Sequence, residues 1–199
     1  MDIQNLLEKS CRTHSRLCPR QVLGVRLGLA GLRALGFAEA PAGKRLLVIS
    51  ETDGCFVDGL SAATDCAVGH RTLRVQDYGK AAAVFVDTLS GQAVRVAPAL
   101  DIRAKADLFS PDEMQPYLAQ MRSYQSMPDE DMFRITPVSL VTPLEEILSQ
   151  PGLRVPCARC GEEIMNGREV EQNGLWLCQA CAHGAYYRAV PNHTPEEQR

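Results

Sequence analysis

Four of the eight cysteines form two Cys-x-x-Cys pairs near the C-terminus, a spacing typical of a metal site. The pairs are Cys157–Cys160 and Cys178–Cys181, separated by residues 161–177. Each pair can place two thiolates beside one ion, and two pairs complete the tetrahedral shell that zinc prefers. Because four thiolates leave no open position for a substrate, we predict a structural zinc ion. Redox chemistry by two separate Cys-x-x-Cys motifs is the alternative use of these thiols.

The residues around the two pairs predict a treble-clef zinc finger. Gly161 suits a turn with positive φ directly after the first pair, and Asn173-Gly174 is a hairpin signal. Trp176 is expected to cover the apolar side of the site. A helix is expected over 182–187, and His183 is interpreted as a surface residue. A surface that binds nucleic acid or protein is the alternative to a purely structural role for this finger.

A second group of reactive residues lies near the N-terminus, where Cys11, His14 and Cys18 are within local reach of one another. A thiolate beside an imidazole suits a metal ion or an activated nucleophile. The alternative is that the cysteines are small apolar residues of the core. Spacing alone does not decide between these interpretations.

Cys55 follows a predicted buried strand and begins a predicted helix, a common position for site residues in α/β architectures. Asp58 follows one turn later. Cys66 would share a helical face with Cys55 if the helix ran from Cys55 to Cys66. In the alternative, the two cysteines fill core space and Asp53 or Asp58 caps the helix, and for Cys66 we favour the core.

Lys80 lies in the turn Asp77-Tyr78-Gly79-Lys80, between two predicted strands. Its ammonium group could reach a carboxylate or an anionic substrate. The alternative is an ordinary exposed lysine.

The elements that must position these residues alternate between helices and strands. Gly24 and Gly28 lie one turn apart on one predicted helix and would allow another backbone to approach closely, within the fold or across a dimer. Pro151-Gly152 marks a boundary, giving domains 1–150 and 151–199. Strands are predicted at about 45–50, 71–76, 82–88, 93–96 and 132–141. Helices are predicted at about 2–10, 19–35, 55–66, after Thr142 and over 99–125, where Ser110-Pro111-Asp112-Glu113 is a start signal.

Composition excludes several functional classes. A formal charge of −3 and a sequence pI near 5.8 argue against a general nucleic-acid binder, which needs clustered lysine and arginine. No apolar run approaches the roughly 20 residues that cross a bilayer. The N-terminus does not resemble a signal peptide. We therefore expect a cytoplasmic protein, with thiols instead of disulfides.

Taken together, the motifs of the first domain resemble the FmdE family of formylmethanofuran dehydrogenase proteins. The resemblance covers about residues 8–110, and the C-terminal module is similar to the treble-clef finger that some members append. The motifs that carry it, in order, are His14 to Pro19, Gly24-Val-Arg-Leu-Gly28, Glu51-Thr-Asp-Gly-Cys55-Phe-Val-Asp58, Thr64-Asp-Cys66-Ala-Val-Gly69-His70, Asp77-Tyr-Gly-Lys80 and Ala93-Val-Arg-Val96.

The resemblance implies an α+β core domain, with a mixed or antiparallel sheet packed by helices, that forms a homodimer. It also implies a cleft that binds a second transition metal or performs thiolate chemistry. His14 and Cys18 match the first histidine and the cysteine of the family pattern His-Gly-His-x-Cys-Pro-Gly, so with Cys55 they are the candidate ligands. Catalytic candidates are His14, Cys18, Cys55, Asp58 and Lys80.

This chain departs from the family pattern at several positions. Arg16 replaces the second histidine of the motif, and its positive charge disfavours a bound cation there. His70 stands where a lysine is usual and could compensate for the missing imidazole. The other departures are Ser15 and Arg20 at the motif's glycines and Asp65 at the glycine before Cys66.

Two functions of different classes follow. The first is a metal-binding FmdE-like protein that acts with a molybdenum or tungsten formylmethanofuran or formate-type oxidoreductase, or in a one-carbon pathway. The second is a non-enzymatic dimeric module whose zinc finger binds a partner protein or nucleic acid. In a third interpretation, both sites have kept only a structural role.

Overall fold

The computed structural model describes residues 2–13 and 16–190. The chain divides into two compact units, Met1–Leu144 and Glu145–Arg199. Among the described residues, no helix combines the length and the apolar character that crossing a bilayer requires.

Helices of the first unit begin at residues suited to that position. Asp2 accepts the Gln4 N–H at 3.1 Å and so caps the first helix, and Pro19 and Pro116 occupy first turns, where a missing N–H is harmless. The helices are α1 (Ile3–Ser10), α2 (Pro19–Ala34), α3 (Cys55–Thr64), α4 (Ile102–Phe109), α5 (Pro116–Ser126) and α6 (Asp129–Met132), with α7 (Leu144–Ile147) at the unit boundary and a 3₁₀ turn at Cys11–Thr13.

One five-stranded sheet forms the centre of this unit, in the order β2-β1-β3-β4-β5. Strands β1 and β2 are parallel, with α3 between them in sequence, and the other neighbours are antiparallel. The predicted α+β class and mixed sheet are confirmed. The strands are β1 (Leu46–Ser50), β2 (Leu73–Val75), β3 (Ala83–Asp87), β4 (Ala93–Pro98) and β5 (Phe133–Val138).

Helices α2 and α3 pack with their backbones nearly in contact because glycines face each other. A Cβ at Gly24 would lie 2.2 Å from the Phe56 carbonyl oxygen, and one at Gly59 would lie 2.3 Å from that of Gln21. Gly28 faces Ala63 in the same way, at 2.7 Å. The predicted close approach at Gly24 and Gly28 therefore occurs within the fold.

The apolar core lies between these helices and the sheet. Each fully buried Leu or Phe contributes roughly 1.5–3 kcal/mol by removal of its side chain from water. Its largest fully buried members are Leu27, Leu32, Phe56, Leu60, Leu73, Phe85, Met127 and Met132.

The second unit consists of two short hairpins and a helix. Its small core contains Cys157, Ile164 and Leu177. Asn173-Gly174 forms the predicted turn between two strands, and both residues have positive φ. Gly161 also has a positive φ, of 77°. The elements are β6 (Arg154–Pro156), β7 (Glu163–Met165), β8 (Val170–Gln172), β9 (Leu175–Leu177) and α8 (Gln179–His183).

Three predicted helices differ from the structure. The helical segment expected over 99–125, with its start signal at 110–113, consists of two helices. Helix α4 ends at Phe109, because Pro111 disfavours a helical conformation at Ser110, where ψ is 61°, and α5 begins only at Pro116. Helix α3 ends at Thr64, because Asp65 is left-handed with φ 56°. The helix expected over 182–187 is α8, which starts at the second cysteine pair and ends before Gly184.

Candidate functional sites

Cys18 and Cys55, which are 37 positions apart in the sequence, come together in the first unit. Their Sγ atoms lie 3.1 Å apart, and both side chains are half-buried. Cys18 caps α2, and Cys55 is the first residue of α3. The two sulfurs therefore lie at the N-termini of two helices, where the helix dipole favours the negative charge of a thiolate.

Gln21 fixes the position of Cys18. Its Oε1 accepts the Cys18 N–H at 3.0 Å, and the Gln21 N–H points to Cys18 Sγ at 3.4 Å, which is a reciprocal capping arrangement. Gln21 is fully buried, and its Nε2 donates to the Ser10 carbonyl oxygen at 3.0 Å. The end of α1 and the start of α2 are thereby held together around the sulfur.

Cys55 is held at the start of α3 by the turn that follows β1. Gly54 precedes it with a φ of 72°, which favours glycine. Burial, and then the hydrogen bond with Cys18, raises the pKa of Cys55 to about 11, while the nearby positive charge of Arg20 opposes this shift. Two adjacent thiols do not ionise together unless a cation compensates their charge. The pair therefore has the donor chemistry of a site for a soft metal ion.

Glu51 connects this turn with the segment that carries Lys80. Its carbonyl oxygen accepts the N–H groups of Tyr78 and Lys80, at 2.8 and 3.1 Å. Its carboxylate is buried and accepts two hydrogen bonds from Arg95 on β4. Both predicted motifs, 51–58 and 77–80, therefore lie at the same end of β1.

The other candidates of the first unit occupy separate places. Asp58 is half-buried on α3, one turn after Cys55. Lys80 is exposed, with Nζ 6.0 Å from the centre of the Tyr78 ring. Cys11 is half-buried at the C-terminus of α1. His14 lies outside the described residues.

Within residues 2–13 and 16–190, no third cysteine, histidine, aspartate or glutamate completes a metal-binding group with Cys18 and Cys55. The structure thus brings together two of the predicted residues of the core site.

Cys66 does not share a helical face with Cys55, contrary to the spacing argument, because α3 ends two residues before it. It is buried, with Sγ 3.6 Å from the Leu46 carbonyl oxygen, and burial raises the pKa of its thiol. Cys66 instead lines a cavity at the C-terminal end of α3.

The four C-terminal cysteines form a cluster that could hold a metal ion, since their sulfur atoms all lie within 4.8 Å of one another. Cys157 is buried beside Ile164 and Leu177, whereas Cys160 is exposed. The Cys178 N–H donates to Cys157 Sγ at 3.3 Å, and the Cys181 N–H donates to Cys178 Sγ at 3.4 Å. The first bond joins the two pairs, and the second closes a tight turn within the second pair.

The thiols of this cluster have very different affinities for protons. Hydrogen bonds from the backbone N–H groups of Cys160 and Cys178 lower the pKa of Cys157 to about 6. The hydrogen bond with Cys178, together with burial, raises the pKa of Cys181 to about 12. Cys157 therefore ionises readily, whereas Cys160 and Cys181 have raised pKa values and resist ionisation, so four thiolates need a cation at their centre.

Trp176 is not the residue that covers the cluster, in contrast to our expectation. Its side chain is 47% exposed, whereas Leu177 is 4% exposed and packs with Cys157. The strand alternates its side chains between two faces, so only one of these two neighbours can face the cysteines.

Sequence reasoning missed Gln21 and the pairing of Glu51 with Arg95. The pattern Cys18-Pro19-x-Gln21 is a detectable signal, since a glutamine at the third helical position is typical of a reciprocal cap. The ion pair carries no such local signal, because its members are 44 positions apart.

Comparison with known proteins supports the family resemblance. The sequence profile of the FmdE family, described as "molybdenum formylmethanofuran dehydrogenase operon", matches residues 13–134, which include Cys18 and Cys55. The structure is similar to that of a tungsten formylmethanofuran dehydrogenase FmdE-like protein from Syntrophus aciditrophicus, with a TM-score of 0.61 and 20% identity, over 94% of this chain and 96% of that one. At this identity the likeness concerns the fold.

A curated relative from Archaeoglobus fulgidus, named a probable S-adenosyl-L-methionine-binding protein, is 30% identical over 94% of this chain. The chain spans about half of that relative, 55% of its length, so the name of the whole relative is not transferred to it. The family profile covers more than half of the present chain. The chain therefore belongs to the FmdE family.

Proposed function

We propose that the protein is a metal-binding FmdE protein whose first unit binds a transition metal ion through Cys18 and Cys55. The observation that carries this proposal is the 3.1 Å approach of the two sulfurs at two helix N-termini. Neighbouring thiols at helix N-termini favour a soft cation such as zinc. In this proposal His14, four residues before Cys18, supplies an imidazole ligand.

Asp58 and Lys80 are proposed to act at the same site. Asp58 follows Cys55 by one helical turn. The turn that carries Lys80 is hydrogen-bonded to the Glu51 carbonyl oxygen, between the end of β1 and Cys55. A carboxylate and an ammonium group beside a metal ion suit the orientation of a small polar or anionic ligand. Through its family the protein is proposed to act with a molybdenum or tungsten formylmethanofuran or formate-type oxidoreductase, or in a one-carbon pathway.

The second unit is proposed to be a treble-clef finger that binds structural zinc. The four-sulfur geometry, the small core and the order of hairpin and helix support this assignment. Eight cysteines without a disulfide among the described residues suit the reducing cytoplasm. A homodimer, implied by the family resemblance, is part of the proposal and can be tested by light scattering.

Metal stoichiometry tests the core site. After anaerobic purification, elemental analysis is expected to give two metal ions per chain for the wild type and one for the Cys18→Ser/Cys55→Ser double variant. Cys66→Ser is the matched control, because Cys66 lies away from the pair, and is expected to retain two. One ion per chain in the wild type, unchanged in the double variant, would exclude the core site.

A second candidate function is protein binding by the finger. It is favoured by the exposed tryptophan of β9, Trp176, which is 47% exposed. Exposed tryptophans are typical of residues that dominate binding at contact surfaces. If this function holds, Trp176→Ser abolishes co-purification of a partner while both metal ions remain bound. Retention of every partner by this variant would contradict it.

A further inference from the structure

A cavity of about 670 Å³ lies at the C-terminal end of α3, away from the start of α3 where Cys55 is found. It is formed by the loop from α2 to β1 and the loop from α3 to β2. Its volume lies within the range of about 300–1,000 Å³ that is usual for small-molecule sites. The buried side chains at its base are Leu46, Thr64, Cys66 and Thr72.

The rim of this cavity carries more positive than negative charge, although the chain as a whole has a formal charge of −3. Lys44, His70 and Arg71 line it, together with one carboxylate, that of Asp65. Asp65 is paired with Lys9, which compensates its charge. A concentration of cationic side chains in a concave site attracts anions.

Backbone conformation gives a second reason to regard this cavity as a site. Asp65 and Arg71 both line it, and both adopt left-handed φ values, of 56° and 63°. Asp65 adopts this conformation as the residue that ends α3, and aspartate tolerates it, whereas for Arg71 it is strained, and such strain is frequently retained at functional sites. Asp65 and Arg71 flank the loop that carries His70.

A smaller cavity, of about 250 Å³, adjoins the first and shares Asp65, Cys66 and His70 with it. It extends along α3 to Asp58 and is also lined by Lys9. The two cavities therefore share one wall, at the C-terminal end of α3.

We propose that this cavity binds a small organic anion through its phosphate or carboxylate group, with Lys44 and Arg71 as the cationic contacts and His70 as a hydrogen-bond donor. Lys44 and Arg71 supply charge from two different loops, and the His70 ring supplies an N–H group. Cys66 and Leu46 supply an apolar base for the body of the ligand. This site is distinct from the proposed metal site and does not depend on it.

Titration of the full, metal-loaded protein with AMP and with citrate tests the proposal and distinguishes a phosphate from a carboxylate ligand. Nuclear magnetic resonance is the readout, because it locates binding. Saturable shifts are expected at the amides of residues 69–72 for at least one probe. No saturable shift there with either probe overturns the proposal.

Two variants are expected to change the affinity in opposite directions, and a third is the control. Lys44→Gln/Arg71→Asn is expected to weaken binding about tenfold, because two charge-assisted contacts are lost. Asp65→Asn is expected to strengthen it, because removal of the carboxylate also frees Lys9. Asparagine tolerates the left-handed conformation at both positions, so the fold is preserved. Arg134→Gln, at an exposed position on β5, is the control and is expected to leave binding unchanged.

A general loss of the fold cannot produce a gain in affinity with Asp65→Asn. Equal affinity of the wild type, Lys44→Gln/Arg71→Asn and Asp65→Asn would overturn the assignment of the cationic contacts.

Discussion

Arg95 on β4 donates two hydrogen bonds to the buried carboxylate of Glu51, at 2.5 Å from Nε and 2.6 Å from Nη2. The Glu51 side chain is 8% exposed and that of Arg95 is 30% exposed. The hydrogen bond and the charge of Glu51 raise the pKa of Arg95 further above its usual value. The same glutamate holds the Lys80 turn through its carbonyl oxygen, so the ion pair supports the end of β1 where the thiol site begins.

Replacement of Arg95 by Met is expected to lower the free energy of unfolding by about 2–4 kcal/mol, since it leaves a buried carboxylate without its partner. Arg95 is partly exposed, so the loss should fall short of that for a fully buried pair. Urea unfolding followed by circular dichroism measures the change. Arg134→Met on neighbouring β5 is the control, and a loss of equal size in both variants would show that the ion pair has no special role.

Removal of metal is expected to unfold the second unit and leave the first unit folded. The second unit buries only a small core around Cys157, Ile164 and Leu177, which is too little to offset chain entropy without an ion. Trp176 is the single tryptophan of the chain, so its fluorescence reports on this unit. A strong chelator should shift the Trp176 fluorescence emission to longer wavelength, while the helical circular dichroism signal of the first unit persists. Unchanged emission after confirmed loss of metal contradicts the prediction.

Gly24→Ala is expected to lower stability by about 2–4 kcal/mol, because the new Cβ would meet the Phe56 carbonyl oxygen at 2.2 Å. Separation of α2 from α3 should also weaken the metal binding that we propose at Cys18 and Cys55. Gly69→Ala is the matched control, since nothing lies within 4 Å of its Cβ position, and should change stability by no more than about 0.5 kcal/mol. Equal melting temperatures for the two variants would refute the packing argument.

Asp87 is expected to make stability depend on pH in the acidic range. Hydrogen bonds from Arg45, and then from the Leu89 N–H and Ser90, lower its pKa from 3.8 to about 2. Because the folded pKa is below the unfolded one, this contribution is fully present above about pH 4 and is lost as the pH falls through about 2. The free energies of unfolding of the wild type and of Asp87→Asn should therefore differ most at neutral pH. A difference that stays constant from pH 6 to pH 2 would contradict this assignment.

The sequence predicted those features that depend on local patterns. Alternation and short apolar runs located the strands, and Pro19 located the start of α2. The two Cys-x-x-Cys pairs pointed to a cluster whose geometry the structure describes. Local patterns succeed because each is set by the conformational preferences of a few neighbouring residues.

Features that depend on contacts between distant segments were harder to predict. The spacing of Cys55 and Cys66 suggested one helical face, but a single left-handed residue, Asp65, ended the helix between them. The large cavity could not be predicted because its cationic side chains come from separate loops. The side chains of Trp176 and Leu177 point to opposite faces of β9, and only the packed structure shows which of them faces the cysteines.

Pro137 lies on β5, an outermost strand of the five-stranded sheet, opposite Val94. A proline carries no N–H group, so this border cannot present an unbroken row of donors to an added strand. The opposite border, β2, has only three residues. Both features disfavour the addition of a further strand at the borders of the sheet. Contacts between side-chain surfaces therefore suit the homodimer that we propose better than one continuous intermolecular sheet.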